Sequence, residues 1–364
     1  MNRRGKRSYE GDASTNVREK KKLNICSQLT YDVLRIIFKY LNPKELSNAS
    51  LVCRTWQEVA NDEERSRGPV CIEGNLLREE DEFINEISDN LWIKPKLGLF
   101  FKSSAGCRMK AHCKDCYCKF FPRDCDVVTL GTNSIIFENK EIEEIHEDNV
   151  ACTFLPKIPN VSIKVIPVFK HSHTSDEQLV EQLRVLVNSF HNIKCALLFW
   201  SYRCRRRMNR FTSLLTAREE IMVPICGGMV FDVRICNRNI NRCLEFANCV
   251  AITFTGPVNA WSVVIREDTK EQVEQELTSF KNSISLKRHS LAFMSACNGR
   301  GRELYNEVDV ESSIFKRLFP EVRLVGAFMN GEFGTTTVPS KFANSSGNHW
   351  YKQFTTVFLI LTYG

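Results

Sequence analysis

No run of the 364 residues approaches the ~18 consecutive apolar positions of a membrane-spanning helix. The N-terminal segment also lacks the apolar core of a secretory leader. These absences lead us to expect a soluble intracellular protein whose sixteen cysteines are mostly free thiols rather than a disulfide framework. Net charge is scarce outside the first residues. Residues 1–22 hold eight Lys/Arg and three acids, so +5 of the formal +7 sits there and +2 is left for the other 342 residues. A nucleic-acid binder concentrates positive charge on its folded face, so neither nucleic acid nor a membrane is the expected partner. A P-loop ending in Gly-Lys-Ser/Thr is absent, and we find no internal repeat. What remains is an ordinary globular composition, 43% apolar and 26% charged, in a chain long enough for two or three domains.

The basic tail, residues 1–24, is polar and aperiodic, and we expect it to be disordered. Lys6-Arg7, a twelve-residue gap and Lys20-Lys21-Lys22 have the spacing of a bipartite nuclear import signal. Nucleus and cytoplasm are the expected compartments, with a plain solvated tail as the alternative.

Residues 29–60 predict three short helices. Thr30 is placed to cap the first, with Asp32 in its first turn and Leu29 and Leu34 spaced as a hydrophobic staple. Asn42-Pro43-Lys44-Glu45 reads as cap, first helical residue and capping box for the second, with Leu41 and Leu46 as the staple. The third helix is expected to carry Val52, Cys53, Trp56, Val59 and Ala60 on one face. Between Leu29 and Leu41 nine of thirteen residues are apolar or aromatic, more than so small a unit covers from within. Another domain or a partner must cover the excess.

Leu29, Asp32, Val33, Ile37, Phe38, Leu41, Leu46, Val52, Cys53 and Trp56 stand in the order and spacing of an F-box, and residues 25–65 resemble that motif. The resemblance implies docking on the Skp-family adaptor of cullin-based ubiquitin ligases through these residues. Thr30 stands where the family usually has proline, at the adaptor contact.

Beyond a polar boundary at residues 61–69, strands and helices alternate. Strands are predicted at 96–104, 126–132, 160–169, 194–202, 220–228, 247–256, 260–265, 291–297, 322–328 and 354–364. Those at 247–256 and 260–265 are expected to form a hairpin across Pro257. Helices are predicted at 176–189, with Leu179, Leu183, Val185 and Leu186 buried; after Asp268 as cap; and from Val310 to Pro320. The fold class is α+β: a small three-helix unit, then a mixed region with a β-sheet core covered by helices. We expect it to divide into halves at 66–225 and 226–364.

Three glycine turns follow strands: Cys226-Gly227-Gly228, Cys297-Asn298-Gly299-Arg300-Gly301 and Asn330-Gly331-Glu332-Phe333-Gly334. An anion site, a Cys297 nucleophile with His289 nearby, and a fixed surface turn are the readings of the second. FMSACNGRG, GAFMNGEFG and the last strand together resemble the C-terminal FIST domain. An F-box followed by a FIST region implies a non-catalytic substrate receptor in a ubiquitin ligase. Gly299, Arg300, Gly301, Asn330, Gly331 and Glu332 then form a substrate- or ligand-binding loop, with Arg300 and Glu332 placed to pair. A small-ligand sensor acting outside a cullin ligase, and an enzyme using Cys297, Arg300 and Glu332, are the alternatives.

Cys107, His112, Cys113, Cys116, Cys118 and Cys125 crowd into nineteen residues. His112, Cys113, Cys116 and Cys118 form a candidate zinc set, because Cys113 and Cys116 have chelating spacing. A reduced polar loop without cofactor is the plainer alternative. Arg203, Arg205, Arg206, Arg207 and Arg210 form the basic cluster of the body, a solvated face or an acidic-peptide site.

Overall fold

The computed structural model describes residues 29–75, 80–103, 117–143, 149–169, 178, 181, 185, 193–202, 223–237, 242–339 and 351–364. The import signal, His112, Cys113, Cys116 and the Arg203–Arg210 cluster lie outside the described residues. Among the described residues no helix is long and apolar enough to cross a membrane.

The first three helices are α1 (Tyr31–Phe38), α2 (Pro43–Ala49) and α3 (Arg54–Ser66). Their ends follow the sequence closely. Thr30 caps α1 by accepting from Val33 N–H, and Asn42 and Glu45 form the reciprocal capping box of α2. Leu34, Phe38, Leu46, Ala49, Val59 and Ala60 make a small core, with Leu29, Leu41 and Trp56 packed against it. Phe38 meets Trp56 edge to face at 5.3 Å. Val52 and Cys53 precede α3 instead of lying on its buried face; Cys53 is the cap residue and Val52 is exposed.

The described residues after α3 form three consecutive six-strand units. The first holds β1 (Val70–Asn75), α4 (Glu80–Asn90), β2 (Pro95–Ser103), β3 (Asp126–Thr132), β4 (Ser134–Phe137), β5 (Lys140–Ile142) and β6 (Asn149–Pro156). The second holds β7 (Ser162–Val168), β8 (Cys195–Ser201), β9 (Ile225–Val230), β10 (Asp232–Asn237), β11 (Arg242–Phe246) and β12 (Cys249–Thr255). The third holds β13 (Asn259–Ile265), α5 (Lys270–Asn282), β14 (His289–Cys297), α6 (Arg302–Tyr305), α7 (Val310–Leu318), β15 (Arg323–Met329), β16 (Glu332–Gly334), β17 (Tyr351–Lys352) and β18 (Thr356–Tyr363).

Three sheets result, ordered β1-β6-β2-β3-β10-β11, β17-β16-β9-β8-β12-β7 and β13-β18-β14-β15-β4-β5. Each has one parallel pair, formed by the second and third strands of a unit: β2/β3, β8/β9 and β14/β15. In each, the unit's sixth strand runs antiparallel between its first and second. The fourth and fifth strands form a hairpin that leaves its unit and adds to another unit's third strand. β4/β5 joins β15, β10/β11 joins β3, and β16/β17 joins β9. The exchange closes cyclically, so the architecture is a threefold repeat with swapped hairpins. Register supports it: Gly227 faces Leu198 and Gly326 faces Met294, each three pairs before the end of its parallel ladder. A Cβ on either glycine would meet the facing carbonyl oxygen at 1.9 or 1.8 Å.

This topology corrects four expectations. An internal repeat exists, carried by topology and not by residue spacing. The halves expected at 66–225 and 226–364 are not separate, because the boundary falls within β9 and every sheet mixes strands from both sides. The hairpin across Pro257 does not form. β12 has both edges occupied by β7 and β8, and Gly256-Pro257 carries the chain into the next unit, where β13 pairs with β18. The strand expected at 220–228 is β9, beginning after Pro224.

Two helix details also shift. Thr269, not Asp268, caps α5, accepting from Gln272 N–H and placing Glu271 in the first turn without the capping-box role. In the 176–189 segment Gln178, Glu181 and Val185 are helical, and Val185 is 60% exposed rather than buried. It shares its helical face with Gln178 and Glu181, at spacings of three and four residues, and both of these are exposed. The rest of that segment lies outside the described residues.

Period-two burial sorts strand side chains between two layers. Val357, Leu359 and Leu361 of β18 enter the central core shared by the three sheets, whereas Phe358 and Ile360 face the layer under α5 and α7. Leu97, Leu99 and Phe101 of β2 likewise point to the center, and Phe100 to the layer under α4. The three third strands, β3, β9 and β15, touch one another there and fill the axis with apolar side chains, including Val128, Leu130, Val230 and Met329.

Arg67 joins the helical unit to this body. It is nearly buried, donates to the carbonyls of Phe38 (3.2 Å) and Leu41 (2.6 Å) at the end of α1 and to that of Trp92 before β2, and pairs with Glu63. Hydrogen bonds to a charged donor contribute about 1.5–3 kcal/mol each. Arg67→Ala is therefore expected to raise the rate of limited proteolysis between α3 and β1 by roughly tenfold or more, with the β body intact. Unchanged cleavage would show that the joint is held elsewhere.

Candidate functional site

Two places bear on function: the outer face of α1 and the turn after β14. Helix α1 is apolar on two sides. Leu34 and Phe38 face inward, while Val33, Ile36, Ile37 and Tyr40 recur at helical spacing on the outside. Ile36 is 60% and Tyr40 75% exposed; Leu51, between α2 and α3, is 81% exposed, beside half-exposed Val52. The body does not cover this stripe. Burying each such side chain is worth about 1.5–3 kcal/mol.

The residues expected to meet an adaptor therefore separate by position. Thr30, Asp32, Ile37 and Val52 are exposed; Leu29, Leu41, Cys53 and Trp56 are half-buried; Phe38 and Leu46 lie inside the helical core. Ile36, Tyr40 and Leu51 belong to the exposed set and are not among the ten residues that carry the resemblance. For Ile36 and Tyr40 the signal was the excess of apolar residues between Leu29 and Leu41 beyond one buried face. Thr30 has φ −70°, a value that proline also adopts.

The turn after β14 is built around a buried cation. Cys297 and Asn298 donate their N–H groups to Thr355 O and Met329 O, and Arg300 N–H donates back to Cys297 O. Gly301 has φ +69°, and a Cβ there would lie 2.7 Å from Glu143 Oε1 and 2.9 Å from the Phe328 ring. The turn thus drives Arg300 inward, to 2% exposure. Its Nε donates to Glu311 Oε1 at 2.7 Å and its Nη2 to the same oxygen, to Glu267 O at 2.7 Å and to Tyr305 Oη at 2.9 Å. Tyr305 Oη also donates to Glu311 at 2.7 Å.

Arg300 and Glu332 do not pair, contrary to the sequence expectation. Glu332 is fully buried and accepts from Thr355 Oγ1 (2.9 Å) and N–H (3.3 Å). Cys297 neighbors Glu332 and is half-buried. Burial, and next the Glu332 carboxylate, push its thiol above the ordinary range, the reverse of what a thiolate nucleophile needs. The three residues of the enzyme reading therefore do not assemble: Arg300 turns to Glu311, away from Cys297 and Glu332. Asn298 and Asn330 are joined side chain to side chain at 2.7 Å. Gly299, Asn298 and Asn330 are half-buried, and Gly301 and Gly331 are buried, so the loop is mostly internal.

Beside this turn, Glu141 of β5 clamps the start of α7. Its Oε1 accepts from Ser312 N–H at 2.9 Å, and its own N–H donates to Asp309 Oδ1. Burial pushes the Glu141 carboxyl up to about 7, with Ser312 opposing and Glu311 adding to the rise. The folded state then holds a proton that the unfolded chain has already lost. This contribution is fully present below the unfolded value of 4.5 and disappears as pH rises through about 7. Stability is expected to fall between pH 5 and 8. Glu141→Gln should flatten a substantial part of that fall in denaturant midpoints, and an equal fall in both proteins would contradict the assignment.

Among the described residues no group of three His, Cys, Asp or Glu side chains is arranged to hold a metal. Of the candidate zinc set only Cys118 is described; it is buried against the α4 layer. Cys125 is buried there too, its thiol pushed up by burial.

Comparison with known proteins matches the helical unit to a family. Residues 31–66 fit the family model described as F-box-like. This segment is an F-box-like module. Over most of its length the chain is similar to F-box only protein 22. It is 24% identical to F-box only protein 22 from Homo sapiens and from Pongo abelii, over 83% of this chain and 84% of each relative. Among solved structures, a cyanuric acid hydrolase from A. caulinodans covers 80% of this chain and 98% of its own at 7% identity, with a TM-score of 0.30. That likeness is too slight to carry an argument. The F-box match gives the exposed stripe of α1 its context, since an F-box indicates docking on a Skp-type adaptor of cullin ligases.

Proposed function

We propose that the chain is the substrate-recognition subunit of a Skp–cullin–F-box ubiquitin ligase. The F-box docks the adaptor through the outer face of α1 with Leu51 and Val52, and the β body, read as a FIST region, selects a protein substrate. The observation that carries this reading is the uncovered apolar stripe within residues 31–66, on a helix whose opposite side already has its own core. The chain itself is non-catalytic in this reading. It acts by proximity, holding substrate lysines near a charged conjugating enzyme supplied by other subunits. Mixing the adaptor-bound chain with a cullin tests it. The expected result is a ternary complex that forms only when the adaptor is present; an adaptor complex that never recruits cullin would overturn the ligase role.

A further inference from the structure

A second surface lies at the junction of the F-box and the body. The outward residues of α2, Pro43, Lys44, Ser47 and Asn48, form one wall of a cleft of about 890 Å³. Its floor is apolar, made by buried Leu91, Ile93 and Phe121. Its rim is basic: Lys44, Lys94 and Lys119 are exposed around it, and Asp89 is the acid among the lining residues. Lys44 and Lys94 have no ion-pair partner among the described residues, and Lys119 lies over the Phe120 ring at 4.7 Å. The cleft shares Pro43, Ser47, Ile93 and Lys94 with a smaller pocket of about 120 Å³, which extends it to half-exposed Trp92.

An apolar floor flanked by Lys44 and Lys94 is complementary to a ligand with carboxylates beside an apolar side chain. Extension toward Trp92 suits an extended chain better than a compact anion. The protein's own basic tail is excluded on charge, since residues 1–22 carry +5. We propose that this cleft is a docking groove for an acidic peptide segment of a partner protein, with its carboxylates at Lys44 and Lys94 and an apolar side chain over Ile93. The groove is separate from the α1 stripe, and the proposal does not depend on the adaptor reading.

Selection of a displayed random dodecapeptide library against the full chain provides the test. The expected result is enrichment of peptides with Asp or Glu next to an aliphatic or aromatic residue. Synthetic copies should bind Lys44→Glu/Lys94→Glu about tenfold or more weakly than the unaltered chain, and should weaken as salt rises. They should bind Ile36→Asp normally, separating this groove from the α1 stripe. Enrichment of neutral or basic peptides, acidic peptides that the double variant retains, or no enrichment would each overturn the proposal. So would selective binding of small dicarboxylates with no gain from the peptide.

Discussion

A chain carrying Ile36→Asp with Leu51→Asp is expected to lose Skp-type adaptor binding by a factor on the order of 1,000, with its own unfolding little changed. Each position sits in the open, so a carboxylate there costs the free chain little. In the complex each substitution removes about 1.5–3 kcal/mol of burial and would desolvate a charge. Phe38→Asp, two residues along α1 and on its inner face, should behave differently. It would empty the Trp56 contact and place a charge in the helical core, so adaptor binding and the fold of residues 29–66 should be lost together. Calorimetry for affinity and hydrogen exchange for the helices separate the two outcomes. Loss of helical protection in the Ile36/Leu51 variant would mean that the stripe is structural.

Removing the carboxylate of the buried Arg300–Glu311 pair should be the most damaging single change in the β body. Glu311→Ala leaves a guanidinium at 2% exposure with Glu267 O, Phe354 O and Tyr305 as partners but no countercharge. Breaking a buried pair in this way costs about 3–5 kcal/mol. Arg300→Met, which fills the space without a charge but leaves Glu311 buried, should cost a comparable amount. Replacing both by apolar residues should recover part of the loss, since no unpaired ion then remains. Chemical denaturation of the single and double variants reads this directly. Full stability in Glu311→Ala would contradict a structural role for the glycine turn and reopen Arg300 as a ligand contact.

Local chemistry was legible in the sequence, and long-range pairing was not. Asn42, Pro43 and Glu45 announced the start of α2 because capping acts within four residues. The 126–132 strand was readable to its ends from its apolar residues. Cyclic exchange of three hairpins has no local signature: β4 pairs with β15 across nearly two hundred residues, and neither segment's pattern names the other. The same limit explains Arg300. The Gly-Arg-Gly turn was visible, but the choice between Glu311 and Glu332 depends on α7 packing over β5, as Glu141 and Ser312 record. On α1 the sequence revealed surplus apolar area, while the division into Leu34/Phe38 inside and Ile36/Tyr40 outside needed the packed partners α2 and α3.

The measurement that bears most directly on the proposed function is co-expression of the full chain with a Skp-type adaptor, followed by mass determination of the eluted species. A one-to-one complex, lost in the Ile36→Asp/Leu51→Asp chain while that chain elutes as a folded monomer, is the predicted result. Separate elution of adaptor and unaltered chain at micromolar concentration would contradict it, and would leave the stripe of α1 to some other partner.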